Sequence, residues 1–245
     1  MNKTLPGRLA LLAGLWLMGV SDAQAQGFDL SNLFVSVNLG GQAHTHTLTT
    51  GQSFTIYAET ATVTSGLPVS GGFLADVGVG YQLMDSLAVA VSGSRVSSES
   101  EATVVGTIPD PVVFNRPRTT TVAVPGLNRR EVGIHVQAMW FLPLPGFLSG
   151  SRLAFTAGPS FFTVRQDLVA SSEVPTGTQD VTPIVRNERK SSVGVNAGFD
   201  LRYPVSSRIG IGGFVRYAGS SFDLESALND KSGGFQAAGG VRLSF

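Results

Sequence analysis

The sequence predicts an all-β fold, an eight-stranded antiparallel transmembrane up-and-down β-barrel, and three observations carry that prediction. Apolar and polar side chains alternate with a period of two along eight separate stretches, the signature of strands with one apolar and one polar face. The links between stretches come in two lengths, short after the second, fourth and sixth and longer after the first, third, fifth and seventh, as in barrels with short periplasmic turns and long extracellular loops. Only 14% of the 245 residues are charged, against roughly 25% in soluble globular chains.

Ahead of the first strand lies an export pattern. Lys3 and Arg8 precede the apolar run LALLAGLWLMGV, Leu9 to Val20, and Ala23-Gln24-Ala25 places small residues where a signal peptidase reads them. The run is too short for a spanning helix of about 20 residues. Residues 1–25 are therefore expected to be a signal peptide and 26–245 the barrel domain, with a buried amino-terminal helix as the alternative. The chain carries 17 basic and 17 acidic residues; without Lys3, Arg8 and Asp22 the mature part keeps 15 and 16. No basic field supports a nucleic-acid partner, and the absence of Cys excludes disulfides and a lipidated amino-terminal cysteine.

The elements follow in order. LFVSVNLGGQ, near residues 33–42, is the first strand. GFLADVGVGYQLM sets Phe73, Ala75, Val77, Val79, Tyr81 and Leu83 against Leu74, Asp76, Gly78, Gly80 and Gln82, and Asp85-Ser86 reverses the chain. LAVAVSGSRV returns with Leu87, Val89 and Val91 opposite small residues, and a link of about 30 residues, Ser97 to Asn128, is expected as the largest loop. REVGIHVQAMWFL turns Val132, Ile134, Val136, Trp140 and Leu142 one way and Glu131, His135 and Gln137 the other. In RLAFTAGPSFFTV, Pro159 cannot donate to the ladder, so a bulge is expected there. SVGVNAGFDLRY, RIGIGGFVRYAG and GGFQAAGGVRLSF complete the count, the last with Phe235, Ala237, Val241, Leu243 and Phe245 on one parity.

Across these strands the large apolar side chains share one face, while Gly, Ala, Ser, amides and charges share the other. Such a barrel is inside-out, with lipid outside. Tyr81, Trp140, Tyr203 and Phe245 fall at the periplasmic level, and Phe73, Tyr217, Phe222 and Phe235 are expected at the opposite rim. Eight strands enclose a space only wide enough for side chains to fill. The inward parity supplies Asp76, Glu131 and Arg216 to the upper half and Asp200, Arg202 and Arg242 to the periplasmic half. Three acidic against three basic side chains, with both signs at each level, predict a salt-bridge plug, because an unpaired buried charge is costly. The alternative is that Arg202 and Arg242 reach periplasmic water or lipid phosphates.

The signal, the eight amphipathic strands and the ending GGVRLSF resemble the small outer-membrane β-barrel proteins of Gram-negative bacteria, the class that includes the outer membrane protein A barrel. The resemblance implies location in the cell outer membrane and contact with its lipid and lipopolysaccharide. It also implies that Val241, Leu243 and Phe245 form an assembly signal for the barrel-assembly machinery. No peptidoglycan-binding domain is expected after the barrel. Members of the class serve as structural proteins, adhesins, narrow channels or lipid-modifying enzymes, and fold does not choose among them. A structural or surface-interaction role through extracellular loops is expected; a narrow passive channel is the alternative, and a membrane-embedded hydrolase ranks third.

No catalytic residue, cofactor or metal is expected. His44 and His46, two apart, could share a strand face, and His135 projects inward, but none is followed by the serine of the lipid A deacylase pattern; all three read as polar rim or interior residues. The pairs Gly71-Gly72, Gly212-Gly213 and Gly239-Gly240 make room inside a narrow barrel rather than a phosphate loop. Arg116, Arg118, Arg129, Arg130, Arg186, Arg189 and Lys190 fall in loops or at upper strand ends, where guanidinium forks suit lipopolysaccharide phosphates. With Glu99, Glu101, Asp110 and Glu188 nearby, a solvated surface is the other reading of the same residues. PDPVVFNRPR is expected as an ordered loop or adhesive tip for an unknown extracellular ligand.

Overall fold

Eight strands pair in sequence order and close on themselves: β1 Leu33–Ile56, β2 Glu59–Met84, β3 Leu87–Ile108, β4 Arg118–Pro143, β5 Arg152–Glu173, β6 Thr182–Pro204, β7 Ile209–Phe222 and β8 Asp230–Ser244. This computed structural model describes residues 30–144, 150–225 and 230–245; the expected signal peptide, residues 1–25, lies outside them. A single 3-10 turn, Leu30–Asn32, leads into β1. Every neighbouring pair is antiparallel, and β1 closes the ring against β8 from Phe34↔Ser244 to Ala43↔Phe235.

The lower half of the barrel is inside-out. Val37, Val79, Val91, Ile134, Trp140, Phe155, Phe199, Ile211, Val215 and Val241 are all exposed on its outer wall. Phe155 meets Phe199 edge-on at 5.6 Å, and Tyr217 meets Phe235 at 5.3 Å. Exposed apolar rows on every strand have no place in water and fit lipid. The first strand's partner illustrates how tightly the inner face is packed: a Cβ on Gly80 would stand 2.1 Å from the Phe34 ring, so only glycine leaves that ring its place.

Beyond the membrane level the polarity inverts. In β1 the inward parity changes from Ser36, Asn38 and Gln42 to Leu48, Phe54 and Ile56, while the outward parity changes from Val35, Val37 and Leu39 to Thr47, Thr49, Ser53 and Thr55. In β2 the change coincides with a shift of parity at Gly71-Gly72, where the register to both neighbours is displaced. The hairpins thus continue past the lipid as a water-soluble lobe with its own apolar core: Leu48, Val63, Leu67, Val69, Val104, Ile108, Leu168 and Val169 lie buried together.

Three expectations are corrected here. The link Ser97–Asn128 is mostly strand, because β3 and β4 pair out to Ile108↔Arg118, leaving only residues 109–117 as loop. Pro159 causes no bulge: it pairs in register with Val195 of β6, and the β4 ladder lapses between His135↔Ser160 and Ala138↔Ala157 and resumes in the same register. The missing donor therefore costs a local gap in one ladder rather than an extra residue. Phe222 does not mark the outer rim but packs against the lobe's core.

Candidate functional site

The barrel interior is filled in three zones. At the periplasmic end Phe34, Met139 and Phe141 form an apolar floor with Ala88, Ala90 and Ala154. The Arg202 guanidinium lies 3.9 Å above the Phe34 ring and 4.8 Å from that of Phe141, so its charge is held against aromatic faces.

Above this floor runs a continuous chain of hydrogen bonds. Arg202 donates to Asp200 (2.9 Å), whose other oxygen accepts from Arg242 (2.8 Å). Arg242 donates to the Asn38 amide oxygen, and Asn38 donates to Asp76 (3.1 Å). Asp76 accepts from Arg216 (2.9 Å), which also donates to Ser92 and to Gln236. Gln236 donates to Gln42, Gln42 donates to Glu131 (3.1 Å), and Glu131 accepts from Arg129 (2.7 Å). Arg129 reaches Asp230 (3.0 Å), which accepts from His46 (2.7 Å), and His46 meets His44. Amides from β1 and β8 therefore link ion pairs contributed by β2, β4, β6, β7 and β8.

Beside this chain, His135 is fully buried between Ser94 and Ser160, each at 2.8 Å, and Asn196 ties Ser160 to Gln137. Both ring nitrogens of His135 are thus engaged by hydroxyls of the interior network. Among the described residues no group of three or more His, Cys, Asp or Glu could hold a metal ion. A residual cavity of about 30 Å³, bounded by Asn38, Asp76, Ser92, Thr156, Asp200 and Arg216, has room for a water or two. The third zone is the apolar core of the lobe, which begins with Leu48, two residues beyond His46 on the inward face of β1.

The six interior charges expected from the sequence all face inward, and each takes part in an ion pair; the pairs of Asp76 and Asp200 fall within the expected upper and periplasmic groups, and only Glu131 takes a partner from outside the set. Asp76 pairs with Arg216, and Asp200 is shared by Arg202 and Arg242. Glu131 pairs with Arg129, which corrects the assignment of Arg129 to lipopolysaccharide contact. Its side chain is buried and held by Glu131, Asp230, Gln166 and the Lys231 carbonyl, out of reach of any lipid. The signal was present: Glu131 faces inward, so a residue two earlier on the same strand must too. Asp230, absent from the expected set, shares parity with the inward Gln236 of β8, but Gly233 (φ 82°) and Gly234 (φ 139°) interrupt the extended backbone between them. With both added, four carboxylates and four arginines take part in the interior ion pairs among the described residues.

The other expected lipid-contact residues are exposed. Arg130 faces outward on β4, Arg186, Arg189 and Lys190 lie on β6, Arg118 begins β4, and Arg116 stands in the loop 109–117 at the far end of the lobe. That loop is ordered by its own side chains. The Asp110 carboxylate accepts from the Val112 and Val113 amides at 2.8 and 2.9 Å, which holds it below the usual carboxylate range. The Asn115 amide, at φ 58°, donates to Glu59 of the neighbouring hairpin. Hairpins one and three are joined similarly: Gln52 exchanges hydrogen bonds with the Ser172 backbone, and the Tyr57 hydroxyl donates to the Thr178 carbonyl and accepts from the Gly177 amide. Val241, Leu243 and Phe245 face outward at the periplasmic end, exposed on the lipid side.

No family model matches the chain, and no curated protein matches it. Among solved structures, the chain is similar to Neisserial surface protein A, at 16% identity, covering 88% of this chain and 98% of that one with a TM-score of 0.46. It is also similar to the outer membrane protein OprG from Pseudomonas aeruginosa, at 9% identity, 88% and 96% coverage and a TM-score of 0.45. The outer membrane protease OmpT from Escherichia coli gives 11% identity, 91% and 99% coverage and a TM-score of 0.45.

Proposed function

We propose that this integral outer-membrane β-barrel is a sealed anchor for a projecting lobe, and that its activity is surface interaction at the tip of the lobe rather than transport or catalysis. The observation that supports this reading is the apolar tip: Val112 is 88% exposed, Val113 46% and Phe114 66%, in a loop already ordered by Asp110 and Glu59. From the level of Ser97↔Arg130 the hairpin continues to Ile108↔Arg118, roughly 35 Å of strand at about 3.3 Å per residue. At that reach these side chains serve no purpose in the protein's own lipid. Consecutive apolar residues held out on a turn whose backbone is already hydrogen-bonded cost less to order on binding.

Biogenesis follows the terminal strand. The outward row Val241, Leu243 and Phe245 is proposed to be read by the barrel-assembly machinery before lipid covers it.

Cells displaying the protein test the tip directly. Adhesion to an apolar-coated surface should fall when Val112, Val113 and Phe114 are all changed to Ser, at equal surface level and unchanged heat-dependent gel mobility. Equal adhesion by wild type and variant would remove the tip from the function.

A further inference from the structure

The outer wall carries a second unexplained feature, at the upper edge of the apolar belt. Arg130 of β4 is the direct cross-strand partner of Arg165 of β5, and Arg165 is the direct partner of Arg189 of β6. All three are exposed on the outward face. Direct partners stand about 5 Å apart at Cβ, and like charges so placed repel. A fourth arginine, Arg95 of β3, is also exposed and faces outward between Ala75 and Val132, diagonal to Arg130. Its neighbours on that wall are apolar, so its guanidinium must turn toward the headgroups.

None of these four arginines takes part in an ion pair among the described residues. The carboxylates on this face lie one step farther out. Glu99 is opposite Asn128, and Asp167 already accepts from the Asn128 amide (3.2 Å) and the Asn187 side chain (2.6 Å). Between the two rows is an open groove of about 630 Å³, bounded by Ser97, Glu99, Asn128, Arg130, Arg165 and Asn187. Arg130, Arg165 and Arg189 share one level as direct partners, and Arg95, opposite Val132, lies two residues lower. Arg130 is two residues above the exposed Val132, and Arg165 and Arg189 are each four from the exposed Phe161 and Val193.

Adjacent guanidinium groups without an ion-pair partner at headgroup depth suit a multivalent anion with oxygens at several positions, and planar forks match phosphate. We infer that Arg95, Arg130, Arg165 and Arg189 form a binding site for the phosphorylated headgroup of lipopolysaccharide, with the acyl chains lying along the apolar wall below. The site rests on the barrel's residence in the outer membrane and is independent of what the tip binds. It narrows the broader set of surface basic residues: Arg116 and Arg118 stand far above the lipid, and Arg165 and Arg95 join Arg130 and Arg189.

The test uses the full mature barrel in detergent, titrated with diphosphoryl lipid A, with the same lipid lacking its phosphates, and with phosphatidylglycerol. The variant carries Arg95→Gln, Arg130→Gln, Arg165→Gln and Arg189→Gln together; Arg116→Gln/Arg118→Gln is the control. Diphosphoryl lipid A should bind wild type and control alike and the fourfold variant more weakly by roughly tenfold or more, the scale of losing a charge-assisted contact. Equal binding by the fourfold variant, or equal binding of the dephosphorylated lipid, would overturn the site. Phosphatidylglycerol binding as tightly as diphosphoryl lipid A would overturn its assignment to lipopolysaccharide. Heat-dependent gel mobility reports separately on barrel folding, and its loss in wild type would refute the membrane barrel rather than the arginine site. If the fourfold variant does not fold, Arg165→Gln/Arg189→Gln is titrated in its place, with the same expected and overturning results.

Discussion

Removing the charge of Arg216 while keeping its volume, as Arg216→Met, isolates the central ion pair. Arg216 and Asp76 are each only 3% exposed and meet at 2.9 Å, with further hydrogen bonds from Arg216 to Ser92 and Gln236. In the variant, Asp76 keeps only the Asn38 amide as a hydrogen-bond partner. Breaking one side of a buried pair typically costs about 3–5 kcal/mol, which at about 1.4 kcal/mol per decade lowers the folded-to-unfolded ratio a hundredfold or more. Asp76→Asn should cost a similar amount, since it leaves the guanidinium without its carboxylate. The double variant leaves no net charge unpaired, so its loss should fall short of the summed single losses by about 1–3 kcal/mol. Urea titration in lipid vesicles, followed by fluorescence and by gel mobility without heating, measures all four proteins. Additive losses, or a cost for Arg216→Met below about 1 kcal/mol, would refute the claim that this pair is a buried element of the plug.

Three further outcomes are expected. Phe245→Ser should lower the yield of barrel in the outer membrane more than Ser244→Ala, and equal yields would refute the reading of the terminal row as an assembly signal. Leu168→Ala, at a site only 1% exposed in the lobe's core, should cost about 2–5 kcal/mol and open the hairpins to protease, while the membrane half stays resistant; unchanged cleavage would show that the lobe does not depend on this core. The Asp110 carboxyl is held below its ordinary value of 3.8 by two backbone amides, so its turn is at full strength above that value and is lost as pH falls through the depressed pKa. Hydrogen exchange at the Val112 and Val113 amides should therefore quicken, relative to unstructured peptide at the same pH, once the carboxyl protonates. Constant protection under acid would remove Asp110 as the cause of the order.

The membrane half was legible because lipid and packed interior impose opposite chemistry on alternate residues. Val77 against Asp76, Val215 against Arg216 and Val241 against Arg242 can each be assigned a face from period alone. The lobe was less legible for the same reason. Where Thr47, Leu48 and Thr49 replace Val37, Asn38 and Leu39, the alternation survives but its sense reverses, and a Ser-, Thr- and Gly-rich hairpin reads as loop. Parity also fails to carry across Gly71-Gly72, where the register shifts. Arg129 was misplaced through its likeness to Arg130, although adjacent strand residues face opposite sides. The ion-pair partners were legible only by level: Asp76 meets Arg216 in the upper group and Asp200 meets Arg202 and Arg242 in the periplasmic one, whereas the pairing of Glu131 with Arg129 of its own strand was missed with the facing of Arg129.

The sealed interior is tested most directly by planar-bilayer recording of the purified, folded wild-type barrel. An aromatic floor at Phe34 and Phe141, the ion-pair chain from Arg202 to His44 and the apolar core above it predict little or no conductance, with Arg216→Ala either destabilising the barrel or raising its conductance above wild type. A large, steady wild-type conductance would contradict the plug and establish a channel in its place.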